Sequence, residues 1–199
     1  MTQLVKRIQS QFRASAEVKL AMSERLSKQV AQVATVMISA LRRGGKILWC
    51  GNGGSAADSQ HLATELICRL NLNRPPLASL ALTTDTSLLT AQSNDFGFDS
   101  VFSRQVEALG QPGDILVGIS TSGNSANVLT AIRAAKAKKI ITVALTGKDG
   151  GALKGLADHC LIVPSSDTQR IQEGHITIGH ILCDLIEHDL FAAEGKMDG

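Results

Sequence analysis

The chain contains no tyrosine, one tryptophan and only 3% aromatic residues in all. Stacking platforms for single-stranded nucleic acid are built from such side chains, so that function is not indicated. Charge of one sign is missing as well. Twenty Lys and Arg stand against 18 Asp and Glu, a formal net charge of +2 over 199 residues. A dedicated nucleic-acid or membrane-surface protein carries a clear basic excess. Lys136, Lys138 and Lys139 form a small basic run that reads as a solvated helix end. No stretch approaches the roughly 18 uninterrupted apolar residues of a membrane span. The N-terminal MTQLVKRIQSQF has no signal-peptide core, and the expected compartment is the cytoplasm. The four cysteines, Cys50, Cys68, Cys160 and Cys183, have no CxxC spacing and read as buried free thiols in a reducing compartment. There is no Walker A pattern, and GNGGSA lacks the spacing of a dinucleotide fingerprint, so nucleotide binding is not indicated.

What is present is organised around residues 46–70, KILWCGNGGSAADSQHLATELICRL. Residues 46–50 read as a short buried strand, 51–55 as a tight glycine-rich turn, and 56–70 as a helix. Turn amides and a helix N-terminus directed at one spot favour an oxyanion there. Upstream, residues 3–41 are free of Pro and Gly. Ile8 and Phe12 form one apolar pair, and Leu26, Val30, Val33, Met37 and Leu41 recur at helical spacing. The pattern predicts one long helix, or two broken near residues 21–24, suited to capping the sheet or to packing against a second subunit and ended by Gly44-Gly45.

Downstream, apolar strands over 77–82, 114–120, 139–145 and 159–163 alternate with helices over 88–92, 101–109, 126–138 and Thr168–Phe191. The polar turn 83–87 can cap the first of these helices. Residues 93–98 read as a loop and 192–199 as a frayed tail. Continuous apolar strands between helices mean a doubly wound α/β fold: a mainly parallel five-stranded sheet flanked by helices, with long N- and C-terminal helices. The chain reads as one domain over 1–199, a helical segment at 3–41 followed by an α/β core at 46–191. Ligands of such sheets sit at the carboxyl ends of the strands, where both small-residue loops fall.

The second of those loops, Ser120-Thr121-Ser122-Gly123-Asn124-Ser125, offers four hydroxyls at a helix start. Capping a helix requires one, and the surplus points to a bound phosphate. His61 and Glu65, four residues apart, stack on one helix face. They suit a general acid and base, two metal ligands, or a plain hydrogen-bonded surface pair. In the last helix Gln172 and His180 lie eight residues apart, about 80° around the axis, and can share one broad face. A carboxylate and an imidazole beside a phosphate pocket are the requirements of a ketose–aldose isomerase, in which a proton moves between C1 and C2.

At these residues the chain resembles the sugar isomerase (SIS) domain family, and within it the phosphoheptose (sedoheptulose 7-phosphate) isomerases. The segments that carry the resemblance are CGNGGSAADSQH, ALTTDTS, NDFGF, FSRQVEALG, GISTSGNSANV, ALTGKDGG and RIQEGH, spanning about residues 10–191. It implies conversion of sedoheptulose 7-phosphate to D-glycero-D-manno-heptose 7-phosphate, the start of heptose supply for the lipopolysaccharide core, by a homotetramer with active sites between subunits. It implies that Ser55, Ser120, Thr121, Ser122 and Ser125 surround the phosphate while Asn52, Gly53 and Gly54 line the pocket. Asn94, Asp95 and Gln172 would contact the sugar, Glu65 would be the base and His180 its acid partner. In some members a zinc ion is held at the positions matching His61, Glu65, Gln172 and His180.

The same subfamily includes a non-catalytic protein that binds the bacterial replication initiator. There the first loop reads GNGTS and the position matching Glu65 is not acidic; here GNGGS and Glu65 favour the enzyme. Isomerisation of a hexose or pentose phosphate is a third reading. The segment Ser165-Ser166-Asp167-Thr168-Gln169-Arg170 departs from many relatives, which carry alanine where Gln169 stands.

Overall fold

In a computed structural model, which describes residues 1–191, the first helix is unbroken. Helix α1 runs over Thr2–Arg42, and the break considered near residues 21–24 does not occur. Strand β1 (Ile47–Gly51) leads into α2 (Gly54–Ile67), and β2 (Ser79–Ala81) into α3 (Thr86–Phe96). A 3-10 turn and α4 (Ser103–Leu109) precede β3 (Ile115–Ile119) and α5 (Ala126–Ala137). Strand β4 (Ile141–Thr146), a one-turn helix α6 (Leu153–Leu156), β5 (His159–Ile162) and α7 (Thr168–Phe191) complete the order. The tail reading at 192–199 falls outside the described residues.

The five strands form one parallel sheet in the order β2-β1-β3-β4-β5. Alternate strand residues serve opposite layers, as parallel strands covered on both faces must. Ile47, Trp49, Ile115, Val117, Val143 and Leu145 pack with α1, α2 and α7. Leu48, Cys50, Leu116 and Ala144 pack with α4 and α5. The strand order reverses between β1 and β3, which places a crevice at their carboxyl ends. No helix among the described residues is long and apolar enough to cross a membrane.

Two expectations need correction. Residues 93–96, read as loop from their polar, turn-forming composition, continue α3. Asp85 caps that helix through the Leu88 amide at 3.0 Å, and it persists until Gly97, whose φ of 89° ends it. The cysteines are all free, but only Cys50 and Cys183 are buried; Cys160 is half-buried and Cys68 is exposed just after α2. In α1, Leu26, Val30, Val33 and Met37 are buried as their spacing requires, whereas Ile8 and Phe12 are exposed.

His175 is the core histidine of α7. It is fully buried, its Nε2 donates to the Thr146 carbonyl at 3.0 Å, and burial pushes its pKa down to about 4. The unfolded chain takes up this proton near pH 6.5 and the folded chain does not, so His175 adds stability above pH 6.5 that is lost as pH falls toward 4. The loss should approach ~1.4 kcal/mol per pH unit across that window. Urea midpoints at pH 7, 6 and 5 should therefore converge between the native protein and His175→Gln, which lacks the titration; parallel lines would show that His175 takes up its proton as readily in the fold as in the unfolded chain.

Candidate active site

Two loop–helix corners flank the crevice. At the first, β1 passes through Asn52 and Gly53 into α2; at the second, β3 passes through residues 120–125 into α5. They are locked together by a reciprocal amide pair. Asn52 donates to Asn127 Oδ1 at 2.9 Å, and Asn127 donates to Asn52 Oδ1 at 2.8 Å. Neither α2 nor α5 has a side-chain cap. The Ser55 and Ala56 amides bond back to the Asn52 and Gly53 carbonyls and the Val128 amide to the Ser125 carbonyl, which leaves the Gly54 amide of α2 and the Ala126 and Asn127 amides of α5 for a ligand. The Ser125 hydroxyl bonds instead to that of Ser120, at 2.8 Å. Ser122 Oγ accepts from the Asn124 amide, and the loop is braced from behind by the Ala152 and Leu153 amides on Asn124 Oδ1 and the Gly123 carbonyl. Thr121 and Ser122 are half-buried at its rim, while Ser55 and Ser120 are buried. A braced row of hydroxyls and uncapped amides is a site for an oxyanion.

From this corner α2 and α7 run side by side. Gly54, Asp58, His61 and Glu65 recur along one face of α2. That face meets α7 without intervening bulk. A Cβ on Gly54 would stand 2.6 Å from Gln172 Nε2, and one on Gly179 would overlap the Leu62 methyls. The close approach brings His61 and His180 into contact, Nε2 to Nε2 at 2.9 Å with ring centroids 4.9 Å apart. His61 Nε2 is also 3.1 Å from Glu65 Oε1. The Glu65 carboxylate accepts, and either Nε2 donates or accepts according to its tautomer. The side chains of His61 and Glu65 are 48% and 20% exposed, so the cluster is open on one side.

His61, Glu65 and His180 each direct one donor atom to a common point, all within 4.8 Å of one another. Two imidazoles and a carboxylate are a catalytic zinc set that leaves a position open. Two nitrogens on a tetrahedral zinc lie about 3.3 Å apart, close to the separation here. The three residues therefore could hold a metal ion.

The sequence puts His61 and Glu65 on one helix and His180 on another, and only the family resemblance groups them; the structure brings the three together. Gln172, grouped with them, lies against Gly54 at the phosphate corner and makes no hydrogen bond to any of the three. Asn94 and Asp95 stand exposed on the last turn of α3, Asn94 donating to Asp95 at 2.8 Å. Asp95 lines a groove with Leu88, Gln92 and Arg104 that holds none of the other candidate residues. Two residues were missed. Asn127 fixes Asn52. Asp58 has a buried, unpartnered carboxylate oxygen, and burial raises its pKa against the pull of His61 and His180. Its spacing, four after Gly54 and three before His61, was the available signal.

The comparisons with known proteins meet this geometry. A model of the SIS domain matches residues 11–147, so the chain belongs to the SIS-domain proteins. The phosphoheptose isomerase of Maridesulfovibrio salexigens is 52% identical over 186 residues, 94% of this chain and 91% of that protein. The phosphoheptose isomerase structure from Neisseria gonorrhoeae superposes with a TM-score of 0.88 at 49% identity, covering 92% of this chain and 98% of that one. That from Francisella tularensis gives 0.90 at 42%, covering 94% and 100%. The chain belongs to the phosphoheptose isomerases.

If the α2–α7 approach sets the cluster, Gly179→Ala should overpack Leu62 and cost about 1–3 kcal/mol of stability, with a loss of metal affinity measured by titration of the metal-free protein. Pairing it with Leu62→Ala, which makes room for the methyl, should recover most of the affinity.

Proposed function

We propose that this chain converts sedoheptulose 7-phosphate into D-glycero-D-manno-heptose 7-phosphate in the cytoplasm, supplying the heptose of the lipopolysaccharide core. The observation that carries the reading is the meeting of Glu65, His61 and His180 beside two uncapped helix N-termini at one crevice.

The substrate's phosphate is held by the hydroxyls of Ser55, Ser120, Thr121, Ser122 and Ser125 and by the amides of Gly54, Ala126 and Asn127, which bond to no carbonyl, with Asn52, Gly53 and Gly54 lining the pocket. That anchor positions C1 and C2 further along α2, with Gln172 binding the substrate next to the phosphate and Asn94 and Asp95 contacting the sugar hydroxyls. Glu65 removes a proton from C1 and returns it to C2. His180 exchanges a proton with the oxygens, protonating O2 as its carbonyl becomes a hydroxyl and taking the O1 proton as the aldehyde forms. Atoms balance: one hydrogen moves from C1 to C2 and one from O1 to O2.

A zinc ion held by His61, Glu65, Gln172 and His180 would polarise the two oxygens. Its binding uses the lone pairs that proton transfer also needs, so metal-loaded and metal-free protein differ in which group takes the proton. Four protomers, with sites completed between subunits, would bring exposed Asn94 and Asp95 to bear on a neighbour's pocket.

NMR of sedoheptulose 7-phosphate with the purified protein should show the aldose appear, in deuterium oxide with label at C2. Glu65→Gln should lower kcat by about 10²–10⁴-fold with the fold intact. Undiminished turnover in that variant would remove Glu65 as the base. Turnover that falls on chelation and returns with zinc would make the metal part of the reaction, and indifference to chelation would leave Glu65 and His180 as plain proton carriers. Binding without turnover would favour a phosphosugar-sensing interaction protein.

A further inference from the structure

Arg74 lies outside every motif above, in an Arg-Pro-Pro stretch that sequence marks only as a chain break. Its side chain is 1% exposed, and its ion-pair partner Glu187 on α7 is 2% exposed. Every nitrogen of the guanidinium is hydrogen-bonded. Nη2 donates to the Glu65 carbonyl at 2.8 Å, Nη1 to the carbonyls of Leu66 at 2.7 Å and Pro75 at 3.0 Å, and Nε to Glu187 Oε1 at 3.2 Å. Glu187 also accepts the amides of Asn71 at 2.8 Å and Leu72 at 3.0 Å.

Helix α2 ends at Ile67, so the Glu65 and Leu66 carbonyls have no partner within the helix, and only that of Leu66 also accepts a backbone amide, from Leu77 at 3.0 Å. A buried cation there satisfies both and complements the helix dipole. Glu187 follows His180 by seven residues, two turns along the same side of α7. One buried pair thus joins the backbone of the residue that bears the Glu65 carboxylate to the helix that bears His180. As a stability device such a pair is poor, because well-packed apolar residues avoid its desolvation cost. What it supplies is direction. A planar fork bonding two carbonyls and a carboxylate fixes both the rotation of α2 and its position along its axis, which a lysine cannot do.

We propose that Arg74, held by Glu187, is a positioning residue that sets the Glu65 carboxylate and the His61 ring against His180. The proposal rests on the proton-transfer roles given to Glu65 and His180, and its test includes a readout that does not.

The variants are Arg74→Lys, Glu187→Gln and the apolar double Arg74→Met/Glu187→Leu, in the full chain. Steady-state kinetics on sedoheptulose 7-phosphate are measured beside long-range ¹H–¹⁵N imidazole spectra of the metal-free protein, which report the proton shared between His61 and His180. Displacements of about 1 Å cost on the order of 10²-fold in rate, so kcat should fall about 10- to 100-fold with KM little changed. The His61 and His180 signals should shift in all three variants. The double variant should melt near the native temperature and remain slow, separating position from stability. Native kcat and native imidazole signals in the double variant, or kinetic losses that follow the folded fraction alone, would overturn the proposal. If the native protein itself turns over no heptose phosphate while the imidazole signals still move, the clamp stands and the isomerase reading fails.

Discussion

The site depends on how near two helices come. Histidine and glutamate side chains on α2 reach His180 on α7 only because nothing larger than hydrogen stands at Gly179, where Leu62 packs onto bare backbone, and at Gly54, where the Gln172 amide lies. A leucine pressed on a glycine is a packing constraint of the apolar core, yet its effect is read in the polar cluster formed by the adjoining residues His61 and His180. Close-packed interiors transmit such constraints because they have no slack to absorb them. The contacts at Gly54 and Gly179, with the Arg74–Glu187 pair beyond, hold α2 and α7 together along the whole length of the site.

The sheet supplies the other half of the geometry. Strands β1 and β3 are neighbours although α2, β2, α3 and α4 lie between them in sequence. Their carboxyl ends therefore present two loop–helix corners side by side. The Asn52–Asn127 pair makes the two corners one rigid unit. Hydroxyls that a helix start would normally use for capping are left over for a ligand.

The fold was legible because its strands are short unbroken apolar runs between turn residues, and α7 was bounded as it stands. The failures have local causes. α6 is four residues long, too short to show a period. Residues 93–96 carry turn-forming side chains, but a cap eight residues earlier and a glycine after them decide the outcome. In the site, residues that share a helix were found from spacing, as with His61 and Glu65. Contacts that close across the chain were not: His61 and His180 are 119 positions apart, and only the family pattern joined them. Asn127 and Arg74 act through partners 75 and 113 residues distant, and no periodicity encodes that.

Helix α1 is longer than the core that holds it. Its first buried residue is Met22, and before it Leu4, Val5, Ile8, Phe12 and Leu20 are exposed, with Gln11 fastened to Arg170. About five turns of helix thus draw almost nothing from the packing that stabilises the rest, and a helix of that length without tertiary support is marginal in water. In a lone protomer the leading segment is held mainly by Val18 against the core and by the Gln11–Arg170 bonds. That segment can melt while the sheet remains intact, and it becomes as durable as the rest only when another surface covers its apolar stripe.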